Sequence, residues 1–155
     1  MRYLYVYFFC FSCSFLLYGN DFIIKEKNGD NFVIGLNLGD IIIEQVDGFD
    51  VVAPDSKGNT QNIGQPQLPT YTFNYAIDYD KNYIIDLETT DYVLYENIVL
   101  FPTQDFQKVN EEKVFIKDTE FYNSDIQYPE QKIGSKRMSL RGYELLSVEV
   151  TPYEY

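Results

Sequence analysis

Two prolines and a glycine fall within six residues at Gly64-Gln65-Pro66-Gln67-Leu68-Pro69, and this hexapeptide restricts the fold more than any other stretch. Each proline fixes its own φ and drives the preceding residue out of helical geometry, so Gln65 and Leu68 are extended while Gly64 is free to turn. A helix cannot run through it. The segment reads as a stiff entry into the strand that follows, where Tyr71, Phe73, Tyr75 and Ile77 share one face and Thr70, Thr72 and Asn74 the other. Its chemistry is structural, since none of its side chains is a nucleophile, acid or base.

The residues on either side repeat this logic. Phe22-Ile23-Ile24, then Phe32 to Leu38, Ile41 to Val46 and Phe49 to Val52 are apolar runs, separated by the turn formers Asn28-Gly29-Asp30-Asn31, Gly39-Asp40 and Asp47-Gly48. Ala53 to Ile63 is a polar loop. Past the alternating strand, Asp78 to Asn82 turns the chain into a return strand at Tyr83 to Glu88. Tyr92 to Leu100 reads as a strand buried on both faces. Asp105 to Lys113 is a charged connection, Asp118 or Thr119 caps a short helical turn, Gln131 to Met138 is a further strand, and Arg141-Gly142 leads into Tyr143 to Val150. Tyrosine and phenylalanine supply an aromatic content of 17%, which favours sheet. The expectation is a single all-β domain, a β-sandwich or jelly roll with at most one short helical turn.

At the N-terminus Met1-Arg2 precedes an apolar run, Tyr3 to Leu17, that closes near Tyr18-Gly19-Asn20. This is the layout of a secretory signal peptide over residues 1–19, and the run is short for a membrane span. Residues 20–155 are then the exported domain, which could continue past Tyr155 and leave its last strand with an unpaired edge. The expected location is secreted or at the cell surface, with no stable membrane span once the leader is cut. Cys10 and Cys13 both lie in the leader, so the remaining domain has no cysteine with which to form a disulfide.

Charge excludes more than it assigns. With 24 Asp and Glu against 12 Lys and Arg, the chain repels phosphate and is a poor nucleic-acid binder. There is no histidine, so neither a Cys-His nor a Ser-His-Asp arrangement exists, and zinc sites built from Cys and His are excluded. Asp78, Asp80, Asp86 and Glu88 could pair as glycosidase carboxylates, but they flank a turn and read as a solvated hairpin end. Calcium is conceivable for so acidic a chain, yet no EF-hand pattern follows Asn28, Asp30 and Asn31, and no cofactor or metal ligand set is expected.

The order of landmarks is similar to a known pattern. Gly64-x-Pro66-x-Leu68-Pro69, Pro102-Thr103-Gln104, Phe115 with Tyr122, Tyr128-Pro129, Arg141-Gly142 and Val148-x-Val150-x-Pro152-Tyr153-x-Tyr155 together resemble the N-terminal propeptide of gingipain-like cysteine peptidases. Ala76-Ile77-Asp78 departs from it, because that family often has a proline after the isoleucine, and no peptidase domain is present in the chain. The resemblance implies a non-catalytic β-sandwich prodomain that folds early, covers the cleft of a partner cysteine peptidase and keeps it latent during export. It further implies a basic side chain that enters the peptidase's specificity pocket. Lys108 and Lys113 of the charged connection are the candidates by position, with a solvated loop lysine as the plainer role, and Arg141 either serves the interface or, as the favoured role, orders its turn with Gly142. A separate reading makes the chain a secreted carbohydrate-binding or adhesin-like module, with Tyr71, Tyr75, Tyr79 and Tyr83 as its aromatic platform; cross-strand packing is the plainer role for these rings.

Overall fold

The computed structural model of the chain describes residues 5–8, 22–28, 31–36, 38, 41–53, 58–88, 92–106, 112 and 114–155. Cys10, Cys13, Lys108 and Lys113 lie outside the described residues. In chain order the elements are β1 (Tyr5–Phe8), β2 (Phe22–Asn28), β3 (Asn31–Leu36), β4 (Ile43–Val46), β5 (Phe49–Val52), β6 (Gly58–Asn59), β7 (Pro69–Ile77), β8 (Ile85–Glu88), the helical turn α1 (Thr119–Tyr122), β9 (Ile133–Leu140) and β10 (Tyr143–Val150). The all-β expectation holds. A four-stranded sheet runs β6-β7-β10-β9, and three two-stranded ladders pair β1 with β8, β2 with β3 and β4 with β5, every ladder being antiparallel.

The alternation of β7 does what its sequence demands. Tyr71, Phe73, Tyr75 and Ile77 stand opposite Val150, Val148, Leu146 and Glu144 of β10, and this face of the sheet meets Ile34 and Leu36 of β3. Leu146, Val148 and Val150 are buried there, with Ile85 and Leu87 of β8 and Ile133 of β9 half-buried around them. A second buried cluster joins Val52, Leu68, Leu100, Tyr128 and Tyr153, with Phe121 and Tyr155 against it. Layers packed on a shared apolar face make this a sandwich. Asp47 and Gly48 both have positive φ, as the two-residue β4–β5 hairpin requires. Asp118 caps α1, its carboxylate accepting from the Phe121 N–H at 3.0 Å.

Three expectations need correction. Residues 92–99 form no ladder strand: Tyr92, Val93 and Leu94 are exposed, and pairing begins only at Leu100, which bridges Asp50. Asn97 takes a left-handed φ of 59°, which breaks the extended run that the apolar pattern suggested. The return strand β8 forms but pairs with β1, not with β7. The end of the chain, finally, carries no loose strand. β10 is paired on both sides, and Thr151, Pro152 and Tyr153 are buried. Thr151 N–H donates to the Lys132 carbonyl, Tyr155 and Tyr128 exchange backbone bonds at 2.8 and 3.0 Å, and Lys132 pairs with the Glu154 carboxylate.

Tyr128 and Tyr155 of this second cluster, with Tyr122 packed on Tyr155, give the fold an alkaline limit. Burial raises the pKa of Tyr122, Tyr128 and Tyr155, and neighbouring negative charge adds to the rise at Tyr122 and Tyr155. A folded pKa above the unfolded value near 10.0 means the stabilisation is complete below pH 10 and is lost as pH climbs towards the folded values. The urea midpoint is therefore expected to fall above pH 10, together with a cooperative rise in phenolate absorbance. Independent titration of these tyrosines near pH 10 with no change in midpoint would contradict their burial.

Candidate functional site

The hexapeptide becomes the central splice of the molecule. Pro66, Leu68 and Pro69 are fully buried, and Gly64 turns with a φ of 81°. Gly64 N–H donates to the Thr103 carbonyl and Thr103 N–H to the Gln65 carbonyl, both at 2.8 Å, while Asp118 N–H donates to the Gly64 carbonyl at 2.9 Å. Gln67 N–H reaches the Phe101 carbonyl, and Pro66 bridges Pro102. The Thr60 hydroxyl donates to the Pro66 carbonyl and accepts from the Leu68 N–H, each at 3.0 Å. Proline lacks an N–H, so the neighbouring residues and the Thr60 hydroxyl carry the pairing here.

Two side chains that sequence reasoning passed over hold the neighbouring segments. Asp50, 9% exposed, accepts from the Val99 N–H at 2.8 Å and from the Gln45 amide at 3.4 Å, while its backbone pairs with Val99 and Phe101. An acid inside the apolar run Phe49-Asp50-Val51-Val52 was the available signal, because a buried carboxylate must find donors. Gln104 uses its side-chain amide as a strand would use its backbone: Nε2 donates to the Pro102 and Ile116 carbonyls at 2.9 and 2.8 Å, and Oε1 accepts from Ile116 N–H at 2.9 Å. This clamp closes the base of the charged connection, from which Phe106 projects 98% exposed. Phe115 leaves the connection to pack on Phe49 and Phe101 at ring separations of 5.5 and 5.8 Å, and Lys117 lies over Phe49 and Tyr122.

Arg141 stands at the tip of the β9–β10 hairpin. Arg141 and Gly142 have φ of 51° and 84°, the two positive values that a two-residue primed turn needs. Gly142 meets this at no steric cost, whereas Arg141 is an uncommon residue in that conformation. Its side chain is exposed and bonds to no other described residue, and it is flanked by Leu140 and Tyr143, 58% and 70% exposed. The tip is thus a rigid basic prong with apolar shoulders. Tyr128-Pro129, a cis bond, and buried Pro152 lie along the closing seam, so the landmark positions fall mostly in the splice, the seam and the tip.

Among the described residues no group of three or more His, Cys, Asp or Glu is placed to hold a metal ion, and no helix is long and apolar enough to cross a membrane. Asp78 pairs with Lys81 at 3.2 Å in the turn after β7. The four tyrosines of the carbohydrate reading do not share a platform: Tyr71 and Tyr75 occupy the core-facing side of β7, Tyr83 lies beneath Arg137, and Tyr79 is 82% exposed.

No protein-family model matches the chain, and no curated protein matches it. Among solved structures, the fold is similar to that of a structure bearing on the zymogenic latency of gingipain K from Porphyromonas gingivalis. The TM-score is 0.61 at 15% sequence identity, over 81% of this chain and 71% of that one. The TM-score shows a shared fold, and at this identity the likeness shows the fold alone.

Proposed function

We propose that the chain is a latency prodomain: a non-catalytic sandwich that covers the active-site cleft of an exported gingipain-type cysteine peptidase, assists its folding and is then removed. The observation that carries this reading is the fold shared with the gingipain K zymogen across 81% of the chain. Residues 1–19 serve as the export leader in this reading, so β1 and its ladder with β8 are lost once the leader is cut, and the pair acts outside the cell or at its surface. The absence of histidine throughout the chain agrees with a covering role, since the chemistry belongs to the partner.

Arg141 is the side chain offered to the peptidase, with Lys108 and Lys113 of the charged connection as the other basic contacts. The primed turn fixes the backbone from which Arg141 projects, while its side chain is ordered only on binding. Arg141→Asn separates interface from turn, because asparagine accepts a positive φ as readily as this position needs. The variant is expected to keep the wild-type melting curve and to inhibit the gingipain K peptidase domain about 10- to 30-fold less well, the loss of one well-placed anchor. Unchanged inhibition by Arg141→Asn would leave Arg141 only its turn. The reading as a whole is tested by titrating the folded chain into that peptidase domain with a chromogenic Lys substrate. Inhibition with a Ki below about 1 µM is expected, a free energy ordinary for a protein interface. Full activity in the presence of a large excess of folded chain would overturn it.

A further inference from the structure

Among the described residues, no strand pairs with the outer edge of β9. In the sheet order β6-β7-β10-β9 it is terminal, and its register with β10 runs from Ile133 to Leu140 without a bulge. The two-residue turn makes Leu140 and Tyr143 a hydrogen-bonded pair, and the bond from Thr151 N–H to the Lys132 carbonyl falls in the same phase. Ile133, Ser135, Arg137 and Ser139 therefore direct their backbone N–H and C=O groups away from the sheet. Gly134, Ser135, Lys136, Arg137 and Ser139 are exposed, and the first two and Ser139 are too small to shield the edge.

Natural edges are blunted by a proline, a bulge, inward charge or charged edge side chains, lysine above all. This one has cations but neither proline nor bulge from Ile133 to Leu140, so its protection against other strands is electrostatic. Residues 131–143 contain Lys132, Lys136, Arg137 and Arg141 and no acid, within a chain of net charge −12. Lys132 pairs with Glu154, and Arg137 donates to the Tyr79 and Lys81 carbonyls, whereas Lys136 bonds to no other described residue. A second copy added antiparallel about Lys136 would pair Ser135 with Arg137 and set Lys136 against its own counterpart, a like-charge pairing that disfavours self-assembly. An acidic strand meets the opposite situation, with four backbone residues ready to pair and a cation at the centre.

We infer that the β9 edge accepts an acidic, extended segment of the partner peptidase domain as a fifth strand of the sheet. The partner's identity rests on the latency reading above; the edge's preference for an acidic strand rests on β9 itself. Ser135→Pro tests it selectively, because proline there removes an outward N–H and no bond to β10. With an unchanged melting curve, Ser135→Pro is expected to bind the gingipain K peptidase domain at least 10-fold more weakly than wild type. Lys136→Glu is expected to weaken binding similarly, and wild-type affinity to fall as salt rises. In the complex the amides of Ser135, Arg137 and Ser139 are expected to gain protection from hydrogen exchange. If wild type and a folded Ser135→Pro inhibit equally, or those amides exchange at the free rate in the complex, the edge assignment is wrong while latency stands. Should Ser135→Pro not fold, Lys136→Glu and the exchange measurement decide alone. Failure of wild type to bind the peptidase overturns the latency reading and this inference with it.

Discussion

Tyr153→Ala is expected to remove about 3–5 kcal/mol of folding stability, the cost of deleting a large ring from a closed core. Tyr153 is 1% exposed and packs with Val52, Leu68, Leu100 and Tyr128. Its hydroxyl lies 3.3 Å from that of Tyr71, so one side chain ties the closing segment to β7. The flanking backbone bonds of Thr151 and Tyr155 depend on that ring for their position. Tyr153→Phe retains the ring and loses one hydroxyl contact, about 1 kcal/mol. Urea unfolding of the two variants measures the difference. A loss below about 1 kcal/mol for Tyr153→Ala would mean the closing segment is not part of the cooperative core.

Gly64→Val is expected to cost about 3 kcal/mol, from two sources that act at one carbon. A φ of 81° is strained for any L side chain, and a β-branched one suffers most. A Cβ built on Gly64 lies 3.1 Å from the Asp118 backbone nitrogen and 3.4 Å from Ile116 Cγ2, so the added atoms also push apart the pairing of Asp118 with the Gly64 carbonyl. Gly64→Ala meets the same backbone with less bulk and is expected to cost about 2 kcal/mol. Thermal melts of both variants check the order. Because α1 starts directly after Asp118, far-ultraviolet changes beyond the loss of midpoint would place the damage at the splice.

Much of this was legible in the chain. The alternation from Thr70 to Ile77 identified a strand and its inward face, because a half-buried strand has to alternate. Asp47-Gly48 and Arg141-Gly142 announced their turns, since few residues accept a positive φ twice in succession. The splice at Gly64 to Pro69 was visible as a stiff segment, but not its partners. Thr103, Phe101 and Asp118 come to it from distant positions, and local pattern carries no information on which carbonyl a glycine N–H will meet. Residues 92–99 misled because of their apolar residues only Tyr95 and Ile98 pack on the core while Tyr92, Val93, Leu94 and Val99 are exposed, and the turn at Asn97 has no glycine to mark it. The Gln104 clamp was illegible for a related reason: an exposed-looking polar side chain stands in for backbone. Arg141 was legible as a turn residue from its place beside Gly142, while its exposure between Leu140 and Tyr143 needed the fold.

In the latency reading this sandwich sits over the catalytic cleft of a cysteine peptidase. The most direct measurement is the rate at which iodoacetamide alkylates the catalytic cysteine of the gingipain K peptidase domain, followed by intact mass with and without the folded chain. The chain's own thiols are Cys10 and Cys13, and intact mass reads the peptidase separately from the chain that carries them. Latency by occlusion predicts that labelling slows in proportion to added chain and stops at one chain per peptidase. Labelling at the free rate, with the chain folded and in excess, would contradict it.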